Sequence, residues 1–159
     1  MKNEINLIQN SSLKNISKKD WENLPGLPLS FKYNSLLVNE ISNINNINPF
    51  YYNILNENED IGRVNLYLTE TDLSTMDTSL ENARNTIKKW YPDFLKFKTL
   101  ECGFFTMLGE GIYLKENKDE TQIYTNILKE MEKISHENDA VIQVIRDIPF
   151  EKYDLLKNI

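Results

Sequence analysis

One cysteine, Cys102, and one histidine, His136, stand in a chain of 159 residues. A single thiol rules out an internal disulfide, and one Cys with one His is too few ligands for an ordinary zinc or haem site, so no metal is expected. That thin cysteine usage fits a reducing compartment, and the cytoplasm is the expected location. Basic residues number 18 against 24 acidic ones. A net charge of −6 lacks the cationic surface that a phosphate backbone demands, which speaks against DNA as a partner. The densest basic stretch, Lys88-Lys89 with Lys96 and Lys98, reads as a solvated helix end. No apolar run approaches the roughly 20 residues of a membrane helix. Met1-Lys2 is not followed by an apolar core, so neither a membrane span nor a signal peptide is expected.

What the chain does have is alternation and helical stripes in a fixed succession. Ile5 and Leu7 alternate with polar residues and predict a first strand. Ser17 with Asp20 three residues on marks a helix start, Trp21 and Leu24 share its face, and Pro25-Gly26-Leu27-Pro28 stops it. Tyr33, Leu36, Leu37, Glu40 and Ile41 give a second helix, followed by an Asn-rich loop from Ser42 to Asn48. Phe50 to Asn56 and Val64 to Leu68 alternate on either side of Glu59-Asp60-Ile61-Gly62, which reads as a hairpin with its turn at 59–62. Thr78 and Glu81 fit a capping box, and Leu80, Ala83, Ile87 and Trp90 predict a helix over 79–90, ended by Pro92. Residues 99–107 form an aromatic-rich strand broken by Gly103, and Leu108-Gly-Glu-Gly111 is a loop. Asp119 opens the longest helix, whose apolar stripe runs through Ile123, Tyr124, Ile127, Leu128, Met131 and Ile134. The continuous apolar run Ala140–Ile145 predicts a strand covered on both faces. Phe150 to Asn158 is a last short helix. The order β, α, α, β, β, α, β, α, β, α implies an α/β (α+β) fold with a mixed, mainly antiparallel sheet and helices on both faces, in a single domain over 1–159.

Few residues carry chemistry. Thr106-Met107-Leu108-Gly109-Glu110-Gly111 reads either as a structural turn or as a ligand loop: two glycines let backbone N–H groups turn toward an anion, while Glu110 opposes one. Glu101 and Asp147, beside or within predicted strands, are candidate general bases, since a carboxylate in an apolar setting holds a proton more tightly. Tyr153 is a candidate proton donor to a leaving thiolate, or a packing residue. A Cys102–His136 nucleophilic pair is the remaining option, disfavoured by Glu101 beside the thiol.

The succession of elements resembles the GNAT acyltransferase superfamily, and within it the FemAB-like branch associated with peptidoglycan synthesis. The residues that carry this likeness are Asp20-Trp21 with Leu24, Asn48-Pro49-Phe50-Tyr51, Gly62-Arg-Val-Asn-Leu-Tyr-Leu68, Trp90-Tyr91-Pro92 and the strand Phe104 to Gly109. The resemblance covers residues 13–148. It implies transfer of an acyl or aminoacyl group to an amine acceptor, from an acyl-CoA or an aminoacyl-tRNA. It implies that Met107, Leu108, Gly109, Glu110 and Gly111 hold the donor, with Thr106 where the superfamily loop carries Gln or Arg. Glu101 falls where the superfamily often places its base. FemAB-like proteins join two such folds, and this chain matches one, so the resemblance implies a partner: a second GNAT-like domain or a second copy. The alternative is a GNAT-like binding module without transferase activity.

Overall fold

The computed structural model describes residues 4–42, 47–72, 81–115, 120–157 and 159, with backbone alone at 81–84. Six strands are seen: β1 (Ile5–Asn10), β2 (Asn48–Asn56), β3 (Glu59–Asp72), β4 (Lys96–Cys102), β5 (Ile112–Leu114) and β6 (Ala140–Ile145). The helices are α1 (Lys18–Trp21), α2 (Tyr33–Ser42), α3 (Glu81–Lys88), α4 (Glu120–Asn138) and α5 (Tyr153–Lys157). The strands make one sheet in the order β1-β2-β3-β4-β6, with β5 also on β3; every pairing is antiparallel except the parallel β4–β6. This is the mixed, mainly antiparallel α/β sheet expected from the element order. Among the described residues no helix is long and apolar enough to cross a membrane.

Helices cover both faces of the sheet. On one face α4 buries Ile123, Tyr124, Ile127, Met131 and Ile134 against Val64, Leu66, Leu100 and Cys102. On the other, Trp21 of α1, Phe31 and Leu36 pack on Tyr51 and Phe104. Capping fixes the short helices. The Ser17 hydroxyl accepts from Asp20 N at 3.1 Å, and the Glu22 carboxylate accepts from Tyr33 N at the start of α2 at 2.8 Å. Arg63 is fully buried beneath α1. Its guanidinium donates to Trp21 O at 2.9 Å, to Asn23 Oδ1 at 2.9 Å and to the Asp60 carboxylate, and it lies over the Trp21 ring. A cation at the centre of a sheet is tolerated because every donor has an acceptor.

Several local expectations shift. The hairpin turns at Glu57-Asn58, not at 59–62. Both residues have positive φ (49° and 72°), the geometry of a two-residue turn that matches strand twist. Residues 59–62 belong to β3, where Ile54 faces Gly62 and Leu55 faces Asp60, leaving Ile61 as the extra residue of a bulge. The last strand is not covered on both faces. β6 is the edge of the described sheet, and Val141 and Ile142, whose side chains point to opposite faces, are 73% and 41% exposed, so among the described residues neither face is fully covered there. The helix expected over 79–90 is seen over Glu81–Lys88; Thr78, residues 79–80 and Asp119 lie outside the described residues. The last helix begins as a 3-10 turn at Phe150–Lys152 before α5, and Asn158 lies outside the described residues.

The strand expected over 99–107 stops at Cys102, and the reason organises the candidate site. Leu66 faces Cys102 and Val64 faces Ile112. Between them Asn65 serves both strands: its N–H donates to Gly111 O at 2.9 Å and its carbonyl accepts from Gly103 N at 3.1 Å. β4 and β5 are thus one strand line, interrupted by an excursion whose two ends meet. Gly111 makes that neck possible. A Cβ there would stand 2.2 Å from Gly103 N and 2.6 Å from the Cys102 carbonyl carbon.

Candidate functional site

The excursion places its residues over two hollows. Met107, Leu108, Gly109 and Glu110 line an open cleft of about 800 Å³, together with Ser30, Phe31 and Lys152. Gly111 belongs to the neck and not to this wall. Gly109 N donates to the Asp147 carboxylate at 3.0 Å, so Asp147 holds the loop. The basic residue missing from the loop sequence arrives from elsewhere: Lys152 lies 3.7 Å from the Glu110 carboxylate and 3.9 Å from Glu120, over the Tyr124 ring.

On the sheet face opposite α4, beside the break, Glu101 meets Tyr67 and Arg146, a meeting that sequence reasoning did not foresee. The Tyr67 hydroxyl donates to Glu101 Oε2 at 2.8 Å and accepts from Arg146 Nη1 at 2.8 Å. Arg146 stands 3.5 Å from the same carboxylate oxygen. The setting of Glu101 is therefore polar, a carboxylate between a phenol and a guanidinium. Burial pushes the Tyr67 hydroxyl up to about 12, with the Arg146 hydrogen bond opposing and the Glu101 hydrogen bond and charge reinforcing the rise. The Arg146 guanidinium is also raised, chiefly by the Tyr67 hydrogen bond. Arg146 borders a small void with Glu110 and Gly111, and Glu110 lines the larger cleft as well, while Glu101 lines neither.

A narrow cavity of about 30 Å³ lies beside Tyr67, between α2 and the aromatic start of the excursion. Phe104 stacks edge-on to Phe31 at 4.9 Å, and Phe105 edge-on to Tyr67 at 6.2 Å. Burial, and then the Glu40 carboxylate, push the Tyr51 hydroxyl pKa up at this cavity.

Other expected residues are not brought together. Tyr153 sits in the first turn of α5, 59% exposed, and lines neither hollow. Cys102 is fully buried and burial pushes its thiol up, while His136 is exposed in the last turn of α4. Among the described residues no group of His, Cys, Asp and Glu could hold a metal ion.

The chain has a curated relative. It is 33% identical over 129 residues to the protein named putative 8-amino-7-oxononanoate synthase 2 in two strains of Mycobacterium tuberculosis, CDC 1551 / Oshkosh and ATCC 25618 / H37Rv. That similarity takes in 80% of this chain but 17% of the relative, so the chain spans about a sixth of the curated proteins it matches. No family model matches the chain. No solved structure matches it significantly.

Proposed function

We propose that this chain is a GNAT-type acyl-transfer domain that moves an acyl or aminoacyl group from an acyl-CoA or aminoacyl-tRNA to an amine. The observation that carries the reading is the break in the β4–β5 line: the excursion lines a cleft large enough for a cofactor-sized donor, and the strand that leads into it carries Glu101, a carboxylate that accepts from a phenol. In this scheme the donor lies along residues 107–110, with Lys152 near its anionic groups. The amine nitrogen attacks the acyl carbonyl carbon, the new C–N bond replaces the C–S or ester C–O bond, and the amine proton passes to Glu101. The leaving group takes its proton from solvent. Arg146 and Tyr67 hold the Glu101 carboxylate in place. The synthase named in the relative is compatible with a group-transfer role, and the 17% coverage makes this segment one part of a larger protein there.

A second reading has its own observation. Glu101 is paired with Arg146, and Glu110 with Lys152, so the charged groups around the break neutralise one another. That favours a binding module without transferase activity, acting beside a second fold or a second copy.

Melting curves with millimolar acetyl-CoA, longer acyl-CoAs and free CoA separate the two. A ligand at about 100 times its Kd stabilises by about 2.7 kcal/mol and raises the melting temperature. A flat response to every CoA species, with no retention of aminoacyl-tRNA on a gel, removes the transfer reading. Where turnover is found, Glu101→Gln should lower it by a factor on the order of 10² or more; an undiminished rate takes Glu101 out of the role of base.

A further inference from the structure

The narrow cavity beside Tyr67 contains an unmet acceptor. Asn65 is 5% exposed and lines it, and its Oδ1 has no hydrogen-bond partner. The amide orientation is settled by its other end: Nδ2 donates to Gly103 O at 2.5 Å, so turning the group over would set two oxygens against each other. A buried amide oxygen without a donor costs about 1–3 kcal/mol, a debt that a ligand can relieve. The surroundings say which kind of ligand. Glu40, also in the wall, is a carboxylate held by Ser12 Oγ at 2.6 Å and Leu13 N at 3.0 Å, with no cation beside it among the described residues. Glu101, reached through Tyr67, has its charge offset by Arg146. The local field is therefore negative, which favours a cationic donor over a neutral hydroxyl at this acceptor. Leu36, Ile47 and Phe105 make the remaining wall apolar. A volume of about 30 Å³ is the share of one water molecule in the liquid, which fits the head of a ligand and not its whole body. The excursion is fastened over this space, because Thr106 Oγ1 donates to Asn39 Oδ1 of α2 at 2.9 Å.

We propose that this cavity is a binding subsite for a primary ammonium group carried on an apolar chain, with Asn65 Oδ1 accepting from the ammonium inside and the chain leaving past Phe105, the exposed apolar residue of its wall. Its role as the acceptor subsite rests on the acyl-transfer reading; the binding itself does not. Ammonium binding without any response to CoA or tRNA would leave the subsite standing and remove the transfer. Turnover of an acyl donor without ammonium binding here would do the reverse.

The test uses the full chain labelled for NMR. The Asn65 side-chain amide signals are followed while butylammonium chloride, butan-1-ol or sodium chloride is added. Saturable shifts are expected with butylammonium and neither of the others. Asn65→Leu should weaken butylammonium binding at least about tenfold, read on the Thr106 amide, as expected for a lost hydrogen bond to a charged group. Should that variant fail to fold, for lack of its bond to Gly103, the ammonium-against-alcohol comparison decides alone. Equal titration by butanol and butylammonium, no saturable shift with either, or unweakened binding by folded Asn65→Leu would overturn the proposal.

Discussion

Substituting Gly111→Ala tests the closed neck directly. The added methyl would stand 2.2 Å from Gly103 N, 2.6 Å from the Cys102 carbonyl carbon and 2.7 Å from Gly103 Cα. All three are backbone atoms, so no rotamer change relieves the clash, and the two ends of the excursion must separate. Separation breaks or stretches three hydrogen bonds: Asn65 N to Gly111 O, Gly103 N to Asn65 O, and Asn65 Nδ2 to Gly103 O. At about 1 kcal/mol net for each, the loss is about 3 kcal/mol. For a chain of this size that lowers the melting temperature by about 6–12 °C. Gly109→Ala is the control in the same excursion. Its nearest neighbour would be Ser30 Oγ at an ordinary 3.5 Å, so only its φ of +145° is strained, a cost of about 1 kcal/mol. Urea unfolding followed by circular dichroism gives both values, with the m-value checking that two-state behaviour survives. A Gly111→Ala midpoint equal to that of the parent, or a larger loss at Gly109, would refute a neck closed between 103 and 111.

Two further outcomes follow from buried polar groups. Arg63→Met should lower stability by about 3 kcal/mol, because Asp60 and the Trp21 carbonyl lose a buried cation; adding Asp60→Leu should recover part of that loss in the same urea assay, and a double variant worse than the sum of its singles would contradict it. Burial pushes the Tyr67 hydroxyl up to about 12 from its ordinary 10.0, so the unfolded chain releases that proton first and stability falls as pH rises from about 10. Tyr67→Phe should therefore flatten the alkaline decline of the unfolding free energy, read from urea curves, by up to about 1.4 kcal/mol per pH unit above about pH 10, and an unaltered slope would show that Tyr67 is not held protonated by the fold.

The strands and helices were legible wherever a period was clean. Tyr33–Ser42 and Glu120–Asn138 appear as their apolar stripes predict, and β1 and the hairpin strands follow their alternation. Errors cluster where local chemistry admits two solutions. Gly62 looks like a turn residue, yet it serves a close approach instead: its Cβ would meet Tyr113 O at 2.4 Å. Glu57 and Asn58 take the left-handed turn, and neither carries the glycine that announces one. The run Ala140–Ile145 is apolar enough for a central strand, but nothing in it records how many strands lie beyond. The candidate site was half visible. Glu101 and the loop 107–111 could be named from residue type, position and resemblance. The meeting of Tyr67 and Arg146 with Glu101 could not, because it depends on the β3–β4 register and on where β6 ends, neither of which leaves a mark in sequence spacing. The same holds for Lys152, which reaches Glu110 from 42 residues further along the chain.

The interrupted strand separates two kinds of inheritance. With Gly103 and Gly111 both meeting Asn65, the sheet register is complete without residues 105–110, while Phe104 is locked into the core. That segment is a cassette: lengthening, shortening or rewriting it leaves every strand pairing where it was. It also forms a wall of both hollows. A lineage built on this frame can retool what it binds by exchanging six residues, with only the contacts of Phe105 on Tyr67 and of Met107 on the core to replace.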